Sequence, residues 1–109
     1  MKGIGVDIVD LQRLDIDNLY FVQKVLTPRE FKIFEQISSQ QRKREFLGGR
    51  FASKEAYLKA HHVGLGAISF QNIEILNDDS GCPYLHDPKA HISISHEKNY
   101  AIAFVVLED

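Results

Sequence analysis

Small and β-branched residues alternate over residues 2–10, Lys-Gly-Ile-Gly-Val-Asp-Ile-Val-Asp, which predicts a first strand with Asp7 and Asp10 near its exit. Between Leu11 and Leu26 the apolar positions fall nearer to a three-and-four than to a two-residue spacing, and Asp15, Asp17 and Asn18 interrupt them. A short, broken helix or helical turn is expected there. Thr27-Pro28-Arg29-Glu30 joins an N-cap hydroxyl, a proline at the first helical position and a glutamate three residues after the threonine, a capping box that starts a helix from Pro28 to about Ile37. Ser38 and Ser39 offer the next cap, and Gln41 to Ala60 reads as a long helix weakened only by Gly48-Gly49.

The second half reads as strands. Ile68–Leu76 alternates weakly, Asn77-Asp78-Asp79-Ser80-Gly81 is a turn, and Pro83–His86 returns as a short strand. His91–His96 alternates cleanly, with His91, Ser93 and Ser95 on one face and Ile92, Ile94 and His96 on the other. Tyr100–Leu107 is nearly continuous in apolar residues and is expected to be central or buried at an interface. The order β, α, α, β, β, β, β gives an α+β class with a largely antiparallel sheet.

Composition narrows the class. With 109 residues, 44% of them hydrophobic and 26% charged, one domain over residues 1–109 with one core is expected, and intrinsic disorder is excluded. No run approaches the roughly 20 apolar residues that span a bilayer, and no signal-peptide pattern opens the chain, so a soluble, cytoplasmic protein without membrane contact is expected. The single cysteine, Cys82, has no internal partner and no zinc-type spacing. Residues 1–60 hold eleven Lys/Arg against eight Asp/Glu, and residues 61–109 hold two against seven, so an anion would dock on the first half. The imbalance is too small for a nucleic-acid footprint.

On the long helix Leu47, Phe51, Glu55 and Leu58 follow at spacings of four, four and three, so Glu55 interrupts an apolar stripe. A carboxylate there needs a cation, a metal or a proton, since burying it alone would cost several kcal/mol. Arg50, Lys54 and Lys59 lie on or beside the same turns, and an ordinary i,i+4 pair of Glu55 with Lys59 is the simple alternative. Asp7 could serve a turn, and Asp10 a cap on the first helical turn. Two carboxylates without His or Cys ligands suit Mg²⁺, which keeps waters and phosphate oxygens as its other ligands. Nearby cations would hold the remaining phosphate charge, which points to phosphoryl chemistry. No nucleophile elbow is present, and Gly3-x-Gly5 lacks the third glycine and following helix of a dinucleotide site.

Taken together, Gly3-Ile-Gly-Val-Asp-Ile, Leu26-Thr-x-x-Glu30, the segment from Glu45 to Ala60 containing Arg50-Phe-Ala-Ser-Lys-Glu-Ala, and His91-Ile-Ser-Ile-Ser-His96 closely resemble the holo-acyl-carrier-protein synthase family over nearly the whole chain. The resemblance implies a 4′-phosphopantetheinyl transferase-like fold, with a largely antiparallel sheet against a long helix and shorter helices. It implies transfer of phosphopantetheine from coenzyme A to a serine of apo-acyl carrier protein, in fatty-acid synthesis, by a homotrimer that binds coenzyme A and Mg²⁺ between subunits. By position Asp7 and Glu55 match the family's metal-binding acids. Asp7, Glu55 and Lys59 match its catalytic centre, and Arg50, Lys59 and His91 its coenzyme A contacts, with Lys54, Ser93 and His96 joining them. The proton acceptor would be Glu55 or a metal-held water.

Acyl carrier protein would dock on Arg13, Lys24 and Arg29. The chain departs from the family at His61-His62-Val63-Gly64-Leu65-Gly66, at Cys82, and in a shortened first helical region carrying Asp15 and Asp17. A non-catalytic trimeric coenzyme A or nucleotide-binding relative is the alternative those departures leave.

Overall fold

The computed structural model describes residues 1–64 and 66–109; Leu65, in the segment 61–66 where the chain departs from the family, lies outside them. Strand β1 spans Gly3–Asp10 and runs into a 3₁₀ turn at Leu11–Arg13, where Asp10 caps the Gln12 amide as expected. The acidic stretch after it divides the first helical region. Asp15 accepts from the Asp17 amide, Asn18 then caps α1, and α1 covers only Leu19–Val25.

Helix α2, Pro28–Gln36, carries both hydrogen bonds of the capping box, Glu30 amide to Thr27 hydroxyl and Thr27 amide to Glu30 carboxylate. Helix α3, Gln40–Ala60, is capped by Ser39. It ends in a Schellman arrangement, with the Val63 amide donating to the Leu58 carbonyl and the His62 amide to that of Lys59.

Strands β4 (Ala90–His96) and β5 (Tyr100–Leu107) complete a three-stranded antiparallel sheet in the order β1-β5-β4, so the apolar run at Tyr100–Leu107 is indeed central. Strands β2 (Ile75–Asn77) and β3 (Pro83–Leu85) form a separate hairpin. The strand expected from Ile68 is confined to β2. Ser69 caps a 3₁₀ turn at Phe70–Asn72 instead, and Gln71 Nε2 is drawn to the carbonyls of Gln23 and Leu26, so local hydrogen bonds outweigh the weak alternation.

α3 is the middle layer. Ala52, Ala56 and Leu58 face Ala103, Val105 and Leu107 of the sheet, while Leu47 meets Val22, Val25 and Phe34 of the α1–α2 layer. A helix packed on two sides needs small residues, which Gly48, Gly49, Ala52 and Ala56 supply. The opposite face of the sheet is apolar and open, with Ile4, Val6, Ile8, Ile102 and Phe104 between 40% and 61% exposed. Among the described residues no helix is long and apolar enough to cross a membrane.

Candidate active site

The inward positions of β1 are Gly3, Gly5, Asp7 and Val9. A Cβ on Gly3 would collide with the carbonyl of Ala60, and one on Gly5 with that of Ala56, so the two glycines let the strand lie directly on α3. Asp7, the first inward residue with a side chain, thereby arrives over the turns of α3 that carry Glu55 and Lys59. Lys59 Nζ donates to Asp7 Oδ1 at 3.1 Å and to the Val6 carbonyl at 3.0 Å. The i,i+4 pair of Glu55 with Lys59 is therefore replaced by a strand-to-helix pair of Asp7 with Lys59.

Glu55 is half-buried, and its carboxyl titrates above the usual range, first because burial removes solvent and then because Asp7 adds a like charge, with Lys59 opposing. A half-buried carboxyl beside a second acid forms a locus for a cation. Among the described residues no group of three or more His, Cys, Asp or Glu is gathered to cage a metal. The donor set fits a hard ion that takes two carboxylates and fills its other positions with water or phosphate oxygens.

A groove of about 440 Å³ opens between α3, the β2–β3 hairpin and the end of β4, lined among others by Arg42, Phe46, Arg50, Asn77 and His96. Arg50 is only 6% exposed. Its guanidinium lies 4.1 Å from the Phe46 ring centre and donates to Asn77 Oδ1 at 2.6 Å, while Nε is buried with no partner. Burial lowers its pKa to about 10, so it is cationic at neutral pH. Glu45, in the same groove, is held by Gln41 and Arg42 and lies 3.6 Å from His96 Nδ1.

Other expected site residues fall elsewhere. Lys54 is wholly buried, and its three donors are taken by Glu30 Oε1 (2.6 Å), the Val25 carbonyl (2.6 Å) and the Phe70 carbonyl (3.0 Å). This corrects its assignment to a ligand, since no donor remains to offer one. Burial pulls its pKa down and Glu30 opposes. His91 and Ser93 are exposed on the outer face of the sheet, away from Arg50, and it is His96 that shares the groove with Arg50. Of the cations expected to dock a carrier, Arg13 is exposed near Asp10, and Lys24 lies over the Tyr20 ring. Arg29 is committed to Glu74 through both Nε and Nη2.

Sequence reasoning missed Glu30 beyond its capping role, and Asn77. The lysine-before-glutamate order at Lys54-Glu55 was visible, but which of the two turns inward depends on the α1–α2 layer.

The model of the 4′-phosphopantetheinyl transferase superfamily matches residues 3–105. The chain belongs to that superfamily. Among its relatives, the holo-[acyl-carrier-protein] synthase of Geobacillus sp. (strain WCH70) is 48% identical over 97% of this chain and 95% of the relative. That of Staphylococcus saprophyticus is 46% identical over 99% of this chain and 98% of the relative. In three dimensions the chain is similar to a holo-(acyl-carrier-protein) synthase from Bacillus anthracis in complex with CoA (3′,5′-ADP), with a TM-score of 0.89 and 43% identity, covering 97% of this chain and 95% of that one. It is also similar to the Helicobacter pylori enzyme in complex with coenzyme A, with a TM-score of 0.82 and 31% identity, covering 96% of this chain and 99% of that one. The superfamily fold expected from the motifs, with a long helix against an antiparallel sheet, is the one observed.

Proposed function

We propose that the chain is a Mg²⁺-dependent holo-acyl-carrier-protein synthase, acting in the cytoplasm for fatty-acid synthesis. It moves 4′-phosphopantetheine from coenzyme A to a serine of apo-acyl carrier protein. The observation that carries this reading is the meeting of Asp7, Glu55 and Lys59 where the Gly3-x-Gly5 strand rests on α3. The alternative of a binding-only relative gains no support from the comparisons, in which the relatives are named as synthases.

The serine oxygen forms a bond to the phosphorus of the phosphopantetheine unit, and the bridging bond of the pyrophosphate breaks, with adenosine 3′,5′-bisphosphate leaving as the anion. Such a transfer needs positioning and charge neutralisation more than covalent help. Asp7 and Glu55 would hold Mg²⁺, which when bound supplies positive charge to the pyrophosphate. Lys59, about half exposed beside Asp7, reaches a phosphate oxygen. Glu55, or a water held by the metal, would accept the serine proton.

Arg50 and His96 receive the nucleotide end of coenzyme A in the groove. The open apolar face of the sheet supports a homotrimer in which that face is covered by neighbouring copies and His91 and Ser93 approach a ligand bound between subunits. Arg13 and Lys24 remain as cations for an acidic carrier.

Intact-mass spectrometry of apo-acyl carrier protein incubated with the protein, coenzyme A and Mg²⁺, beside an EDTA control, tests the reading. A Mg²⁺-dependent gain of one phosphopantetheine is expected. No gain with folded protein and several apo carriers would overturn it.

A further inference from the structure

A buried cation is ordinarily paired with a carboxylate, because the unpaired charge costs several kcal/mol. Arg50 departs from that rule. Among the described residues no carboxylate forms an ion pair with it, and its hydrogen-bonded partner is the neutral amide of Asn77, at 2.6 Å. The amide cannot turn over without loss. Its Nδ2 donates to the Gly81 carbonyl at 2.9 Å, in a turn closed by the Gly81 amide on Asp78 and the Asp78 amide on Cys82, so Oδ1 is the atom that faces Arg50. Phe46 covers the guanidinium from one side, and the groove lies open beside it.

We propose that Asn77 is a positioning and specificity-determining residue for the anionic end of the substrate: it fixes the direction of the Arg50 guanidinium without neutralising it, leaving the full charge for a phosphate in the groove. This rests on the reading of the groove as the site for the nucleotide end of coenzyme A. A carboxylate at position 77 would hold Arg50 as firmly but would cancel its charge before the ligand arrived. An apolar residue there would leave the charge but lose its aim. Asn77 is exposed, so neither substitution disturbs the core.

The test is calorimetric titration of the full chain and its Asn77→Asp and Asn77→Ala variants with adenosine 3′,5′-bisphosphate, alongside thermal melting and steady-state kinetics. Asn77→Asp is expected to bind about tenfold or more weakly, and Asn77→Ala about threefold more weakly, with little change in melting temperature. In turnover, KM for coenzyme A rises while KM for the carrier and kcat hold. Binding by Asn77→Asp within twofold of the unaltered protein would overturn the proposal. So would losses of affinity that simply follow equal losses of melting temperature in both variants, which would make Asn77 a turn residue only. If the unaltered protein does not bind the bisphosphate while still transferring phosphopantetheine, the assignment of the groove fails. If neither binding nor transfer is seen, the reading of the whole site fails.

Discussion

Lys54 Nζ lies 2.6 Å from Glu30 Oε1, and neither side chain is exposed to solvent. Glu30 also accepts from the Thr27 and Ile75 amides, so this single pair ties the start of α2 and strand β2 to α3, and through the Val25 and Phe70 carbonyls it reaches α1 and the 3₁₀ turn as well. Removing one partner leaves the other as an uncompensated buried charge. Lys54→Met is therefore expected to destabilise the fold by about 3–5 kcal/mol in urea unfolding. Lys54→Met combined with Glu30→Gln should cost less than the sum of the two single changes, the sign of direct coupling. Additive losses would show that the pair acts through separate contacts.

Glu55 titrates above its ordinary value in the folded chain because of burial and of Asp7. An acid whose pKa is raised by folding binds its proton more tightly in the native state, so its contribution to stability falls as pH rises from the unfolded pKa through the folded one. In the presence of EDTA, Glu55→Gln is accordingly expected to raise the melting temperature at pH 7.5 and to have little effect near pH 4. The same variant should lose transfer activity by about 100-fold or more, since it gives up both metal charge and proton acceptance. Equal activity would remove Glu55 from the centre, and an unchanged melting temperature would contradict the strain between the two acids.

His62 ends α3 with φ near 60°, the left-handed conformation that side chains with a Cβ adopt at a cost. The Schellman hydrogen bonds around it are complete, so the geometry is imposed by the cap. His62→Gly is expected to stabilise the protein by about 0.5–1 kcal/mol, the relief of backbone strain being partly offset by the greater freedom of glycine in the unfolded chain. Denaturant unfolding decides it. A loss of stability would mean that the histidine side chain contributes contacts worth more than the strain.

Phe104 stands on the central strand opposite Val6, on the open face of the sheet. If neighbouring copies cover that face, Phe104→Glu places a charge in an apolar contact and should yield monomers by light scattering, with little change in the far-UV spectrum. The monomer should also bind coenzyme A more weakly, because the proposed site lies between subunits. A protein that is monomeric before the substitution would refute the trimer.

The helices were legible in the sequence because their signals are local. The Thr27 to Glu30 capping box and the Ser39 cap depend on residues three apart, and the clean alternation from His91 to His96 depends on residues two apart. The expected strand from Ile68 failed for the same reason in reverse: a Ser69 cap and the long reach of Gln71 to the end of α1 overrode a weak alternation. At the site, the motifs named Asp7, Glu55, Lys59 and Arg50, but they also offered Lys54, whose three donors are spent inside the fold.

By itself, then, the sequence determined the element order, the caps, the antiparallel class and the superfamily, all of which are carried by residue type at short spacing. Tertiary structure alone decided that Gly3 and Gly5 are there to bring a strand onto the Ala56 and Ala60 carbonyls, that Lys59 turns to Asp7, and that Lys54 faces inward to Glu30. It alone paired Arg50 with Asn77 across 27 residues. Those outcomes depend on which layers α3 separates, and a charged side chain takes its role from the nearest unpaired partner in space, which spacing along one element does not encode.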